Sequence, residues 1–399
     1  MKTKRIKALV RPELLKWARE DAGLSESDAA KKASTKIERL LDWEAGEDRP
    51  TIRQLRLLAN AYKRPIAVFY LPEPPKGFQA MRDYRRLPGE VAGKESALVR
   101  LEVRKARYRR QIALDLLSDL GEGPGAFTLK ASLSEDPEAV ATRARAALNI
   151  SREDQRSWKA PYEAFHRWRA AIENLGILVF QVMGIEVSEL RGFSLFEEPL
   201  PILVVNTKDH PHGIVFTLLH ELAHLMLRRE GLCDLVEEAH RPPEEQEVEV
   251  FCNHVAGAIA IPANTLLRMD LVRSRRVERW TSEELRGAAT ELRVSRVALL
   301  RRLLILGKTT RSHYQARCEE IDEEHRRREK PKKKGGFAPP NIKAVSTAGP
   351  SFVRLVLEGL YQEKITSSAA SDYLEVKLKW IPKIEEAVFG ESKDILAVA

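Results

Sequence analysis

The chain has 399 residues, too many for one ordinary domain, and 43% of them are hydrophobic, enough to build real cores and to exclude wholesale disorder. A net charge of +9 and a pI near 9.3 permit contact with nucleic acid or an acidic protein, although 31% charged residues of both signs mainly describe solvated helix faces. Three cysteines without a short metal-knuckle spacing, no apolar stretch behind the charged N-terminus and no membrane-spanning run point to a cytoplasmic protein.

Residues 12 to 70 form a helical block. Pro12 suits a first helical turn, and Leu14, Leu15, Trp17, Ala18 and Ala22 follow at helical spacing until Gly23 stops them. Ser25 with Asp28 resembles a capping box for a short second helix through Ala29, Ala30 and Ala33. Ser34 or Thr35 is the expected cap of a third helix carrying Ile37, Leu40, Leu41 and Trp43, closed by Gly46. Pro50 and Thr51 open a fourth with Leu55, Leu58, Ala59 and Ala61 inward, and residues 65 to 70 form another short helix. Leu71 to Gly77 is proline-rich and extended, a linker. A charged amphipathic helix is expected over 94 to 120, ended by Gly121 to Gly125, and helical patterns resume near 135–148 and 160–174.

After Gly176 the texture changes. Residues 177–182, 192–196 and 201–206 are short, β-branched and aromatic runs that read as strands. Helices return over 215–230, 244–260, 282–306 and 311–329; residues 325–336 form a basic linker and 350–389 a small helical tail. The expected class is α+β: a helical domain over 1–71, a linker and helical connector over 72–158, a domain with a small sheet over 159–330, and a basic linker with a helical C-terminal domain over 331–399.

The chemistry concentrates at 214–262. His220 and His224 stand four apart in an otherwise apolar helix, so they share a face and can grip one metal ion. Glu221 can be held beside the metal without binding it, as a general base. Uncoordinated polar groups in such a helix would be costly, which favours a metal over two surface histidines. Glu249 is the expected third ligand: it shares a helical face with Asn253, Ala256 and Ala260, whereas Glu247, the register alternative, points away from Asn253. Asn253 is placed to hydrogen-bond a ligand histidine and fix its tautomer. Cys252 and His254 read as packing or surface residues. Two imidazoles and a carboxylate suit Zn2+ with an open fourth position, Mn2+ being the alternative. A sheet edge beside this helix can bind an extended peptide by strand addition, and residues 201–206 are the expected edge. Tyr314 and His313 on the last charged helix are candidates to reach the site.

These residues, together with 11–25, 42–51, 62–75, Arg191 to Ser194, Val204 to Asp209 and Asn253 to Pro262, resemble the ImmA/IrrE family of metallo-endopeptidases in the form fused to an Xre-type helix-turn-helix. The resemblance implies a gluzincin-like site, with His220, His224 and Glu249 as metal ligands and Glu221 as general base. It also implies limited cleavage of a protein partner, typically a helix-turn-helix repressor, in stress response or in mobile-element and toxin–antitoxin control. The family often has a basic residue shortly before Phe216, where this chain has Gly213 to Val215. The expected recognition helix begins Lys36-Ile-Glu-Arg39, and the acids Glu38 and Asp42 beside the DNA-contact candidates Lys36 and Arg39 oppose phosphate, leaving either DNA or a protein as its target. The competing reading is a DNA-binding regulator or antitoxin that uses a non-proteolytic peptidase fold to bind a partner. No part of the chain calls for a membrane.

Overall fold

The computed structural model describes residues 7–74, 97–229, 231–233, 243–274, 279–328 and 338–389. They fall into two compact units, one holding the described residues up to 74 together with 97–109, the other those from 110 onward.

The first unit is all-helical: α1 (Pro12–Asp21), α2 (Glu26–Lys32), α3 (Ile37–Ala45), α4 (Ile52–Tyr62), a 3-10 turn at Ile66–Tyr70, and the first half of α5 (Ala97–Leu120). Its boundaries follow the local chemistry. Gly23 and Gly46 take the left-handed φ that stops α1 and α3. Ser25 accepts from the Asp28 amide, and Thr51 with Gln54 closes a reciprocal capping box on α4. The expected cap of α3 is not found: its N-cap is Lys36, with no side-chain cap, because Ser34 sits in the turn itself at φ +53°. Leu14, Leu15, Leu40, Trp43, Leu55, Leu58 and Tyr62 make the core, and Arg19 clamps Glu44 from α1 to α3 with bonds of 2.8 and 2.9 Å.

The second unit opens with the end of α5, α6 (Pro137–Leu148), α7 (Arg152–Ser157) and α8 (Pro161–Glu173). Strands β1 (Leu178–Val182), β2 (Gly192–Leu195) and β3 (Ile202–Asn206) follow, then α9 (Pro211–Met226), β4 (Gly231–Cys233) and α10 (Pro243–Ala260). Next come α11 (Ala263–Arg268), α12 (Asp270–Arg273), α13 (Ser282–Leu292), α14 (Arg296–Ile305) and α15 (Arg311–Arg328). The last elements are α16 (Pro340–Ala348), α17 (Pro350–Tyr361), α18 (Ser367–Tyr373), a 3-10 turn at Leu378–Trp380 and α19 (Ile381–Phe389). The helical class with a small sheet is as expected, but the sheet is four-stranded in the order β1-β3-β2-β4. β1 and β3 are parallel, with Leu178 facing Ile202; β2 runs antiparallel to both β3 and β4. Residues 201–206 are therefore an interior strand, paired on both sides, and not the edge the sequence suggested.

Every residue of β1, β2 and β3 is buried, as a sheet covered on both faces requires. Val179, Leu203 and Val205 join the core that holds α8 and α9, while Phe180 meets Phe352 of α17 edge-on at 6.0 Å. Arg169 of α8, itself buried, donates to the carbonyls of Val179 and Ser346 and so ties β1 to α16. The single helix expected over 282–306 is two, because Arg293 adopts φ +56° and Ser295 caps α14 by accepting from the Ala298 amide. Most of the basic linker expected at 325–336 lies outside the described residues. No described helix is long and apolar enough to cross a membrane.

Candidate metal centre

α9 starts on an N-cap at His210 with Pro211 in its first position, and residues Ile214 to Met226 are buried without a break. Such a helix has no solvent face, so each polar side chain on it must be answered within the protein. His220, Glu221 and His224 are all fully buried. Opposite them lies α10, where Ala256 and Ala260 leave room for close helix packing and Glu249, 1% exposed, turns inward. Glu247 is exposed, so Glu249 is the carboxylate that α10 turns toward the histidines.

His220 Nε2 and His224 Nε2 face each other at 3.0 Å; Glu249 Oε2 lies 3.5 Å from the first and Oε1 3.1 Å from the second. Tetrahedral zinc with ligands at about 2.0–2.1 Å sets its donor atoms about 3.3 Å apart, so these three separations bracket the required edge. Among the described residues this is the one group of three such donors. The donor set thus fits a zinc ion by spacing, by composition and by burial.

The electrostatics agree. Burial depresses His220 below its ordinary value, against the pull of Glu249 and with help from the charge on Arg301, so the imidazole is held neutral as a ligand must be. Burial alone would raise Glu249, but the facing imidazoles hold its carboxyl well below the usual range. Asn253 is buried on α10 as expected, yet its Oδ1 has no hydrogen-bond partner among the described residues, so the contact to a ligand histidine is not formed there. Cys252 is fully buried, and burial pushes its thiol up against the pull of His224. His254 turns away and bonds Glu138 of α6 at 2.8 Å, where the fully buried Arg302 also converges.

Of the two candidates on α15, His313 is committed elsewhere, accepting from the Trp280 amide at 2.9 Å. Tyr314 places its hydroxyl 3.5 Å from Nη2 of Arg301. Arg301 was not foreseeable: in a run Arg301-Arg302 nothing marks which guanidinium turns to the site. Gly192, at the start of β2, is a further unforeseen neighbour, since a Cβ there would come within 3.5 Å of Glu221 Cγ.

Residues 172–304 match the IrrE N-terminal-like domain, and residues 15–69 match a helix-turn-helix domain. The two matches, in this order along the chain, agree with a fusion of an ImmA/IrrE-like peptidase domain to an N-terminal Xre-type helix-turn-helix domain. No curated protein matches it. The peptidase-domain match takes in α9, α10 and most of α14, the elements that carry the three donors and Arg301. In the helix-turn-helix domain, Lys36 at the N-cap of α3 is exposed, as are Glu38 and Arg39 on it, and Arg39 lies 3.6 Å from Asp48.

Proposed function

We propose that this protein is a zinc-dependent endopeptidase of the gluzincin kind that makes limited cuts in a protein partner, a helix-turn-helix repressor. The observation that carries the catalytic reading is the convergence of His220, His224 and Glu249 inside an apolar helix pair. His220, His224 and Glu249 hold the metal, with Mn2+ as the alternative to zinc. A metal bound there supplies Lewis acidity, acidifying water and polarising a carbonyl. Glu221, next to the first ligand, takes the proton of the attacking water and returns it to the leaving amine. Asn253, buried one turn after Glu249, serves to orient a ligand histidine once its amide rotates onto it.

The repressor as substrate is supported by the fusion, since the peptidase domain is linked to a module of the class that repressors use. A cytoplasmic location follows from that target. Exposed Lys36 and Arg39 support phosphate contacts by α3, so the regulator reading, in which the chain binds DNA and cuts nothing, stays in the test.

The experiment is metal content by mass spectrometry on wild type, Glu249→Ala and Glu221→Ala, purified without an affinity metal. Near-stoichiometric metal in wild type and Glu221→Ala with loss in Glu249→Ala is the expected result, and Glu221→Ala then serves as a trap for the partner. No metal in wild type after zinc or manganese is added back refutes the peptidase reading and leaves the regulator.

A further inference from the structure

The candidate metal centre has a cationic neighbour outside its donor set. Arg301 of α14 is only 9% exposed, and its guanidinium carbon stands 5.6 Å from the centroid of the Phe216 ring. Phe216 precedes His220 by one turn of α9, and the two rings are 6.4 Å apart. Arg301 is therefore stacked on the aromatic layer that backs a metal-ligand histidine. The Tyr314 hydroxyl meets its Nη2 at 3.5 Å, from a third helix.

This placement has a chemical consequence. A guanidinium keeps its charge at any working pH and presents a rigid fork of donors. Stacked on Phe216 and contacted by Tyr314, it has few rotamers left, so little entropy is lost when it binds. A fixed cation stacked on the ring that packs against His220 favours any negative charge that forms beside it. Amide hydrolysis creates such a charge, on the carbonyl oxygen as water adds to the carbon, and donors fixed in advance around that oxygen are commonly the largest electrostatic contribution.

We propose that Arg301 binds the negatively charged oxygen of the substrate at the metal centre, with Tyr314 as the residue that positions its guanidinium. The assignment rests on the peptidase reading above. It makes Arg301 a catalytic residue and Tyr314 a positioning residue. If Arg301 served only to pack on Phe216, its replacement would change the melting temperature and leave anion affinity alone.

Inorganic phosphate, a tetrahedral oxyanion, is the probe. Its affinity is measured by isothermal titration calorimetry on the full chain, as wild type, Arg301→Gln, Arg301→Lys and Tyr314→Phe. Metal content is read on each sample and the wild type is also measured after chelation. The expected result is phosphate binding by wild type and a loss of at least about tenfold in Arg301→Gln at unchanged metal content. Arg301→Lys, which keeps the charge but not the fork, and Tyr314→Phe should each lose about threefold. If Arg301→Gln fails to fold, those two variants decide, and wild-type affinity in both overturns the assignment. Equal phosphate affinity in Arg301→Gln and wild type, or no phosphate binding by metal-loaded wild type, overturns it too. A wild type that never takes up metal defeats the peptidase reading instead, and Arg301-dependent phosphate binding in that same protein would leave the anion site standing.

Discussion

Gly192 opens β2 directly against α9, and replacing it with alanine tests how tightly the site is built. A Cβ at this position would lie 2.7 Å from Thr217 Cγ2, 2.8 Å from the Val204 carbonyl oxygen and 3.5 Å from Glu221 Cγ. Ordinary carbon contacts begin at about 3.5 Å, so the overlap with Thr217 is about 0.8 Å. Val204 belongs to the interior strand, where Phe193 is its ladder partner, so its carbonyl cannot retreat without breaking pairing. Thr217 must give way, and with it the turn of α9 that carries Glu221 four residues on. Overpacking of this kind destabilises by about 1–3 kcal/mol. In a unit this size Gly192→Ala should lower the melting temperature by about 2–12 °C, at about 2–4 °C per kcal/mol. Thr217→Ser removes the clashing methyl, so the double variant should recover part of the loss, with a coupling of at least about 1 kcal/mol. Scanning calorimetry on the four proteins reads both quantities. A Gly192→Ala protein that melts with wild type, or a double variant no more stable than the two losses added, refutes the close-approach argument.

Three further outcomes follow from the same structure. Glu138→Gln strands the fully buried Arg302 guanidinium and should lower stability by about 3 kcal/mol, whereas Arg302→Met, which removes the charge, should cost less; equal denaturation midpoints for wild type and Glu138→Gln would argue against the pair. Burial, with Arg169 nearby in one case and His210 and Arg293 in the other, pushes His166 and His212 down to about 4. Both are thus neutral in the fold, and the unfolded chain binds more protons between pH 4 and about 6.5, so their contribution is intact above about 6.5 and is lost as pH falls toward 4. Each shift is worth up to about 3 kcal/mol, roughly half that after allowing for partial solvent access, and His166→Gln should flatten the fall in melting temperature between pH 7 and 4.5; an unchanged slope counts against it. Finally, chelation should remove about 4 kcal/mol of stability from wild type and Glu221→Ala for metal present at a thousand times its Kd, read as a fall in melting temperature, and should not move Glu249→Ala.

What the sequence disclosed is what short-range periodicity encodes. His220 and His224 lie one helical turn apart on one element, and Glu249 separates from Glu247 because only the former shares a face with Asn253 and the small residues that meet α9. The sheet order is different in kind. Which strands become neighbours is decided by packing between distant segments, and the edge strand β4 has only three residues, too few to show a period. The break at Arg293 was hidden because apolar spacing continues in α14, although the Ser295 cap that makes the break was present as a local signal.

The pair Arg301-Arg302 shows the limit most sharply. Successive helical residues point about 100° apart, so one guanidinium reaches Glu138 and Ile261 across the α6–α10 side while the other stacks on Phe216 beside His220. Nothing in two adjacent arginines says which is which; the partners on three other helices decide. Their consequences should therefore separate. Loss of Arg302 removes an ion pair whose guanidinium is fully buried and belongs to stability, whereas loss of Arg301 removes a charge stacked on the ring beside His220 and belongs to anion binding. A variant pair, Arg302→Gln and Arg301→Gln, compared by melting temperature and by phosphate affinity should show opposite patterns. If both variants lost stability and neither lost phosphate, both arginines would be structural, and the negative charge formed at this metal centre would have to be met by another donor.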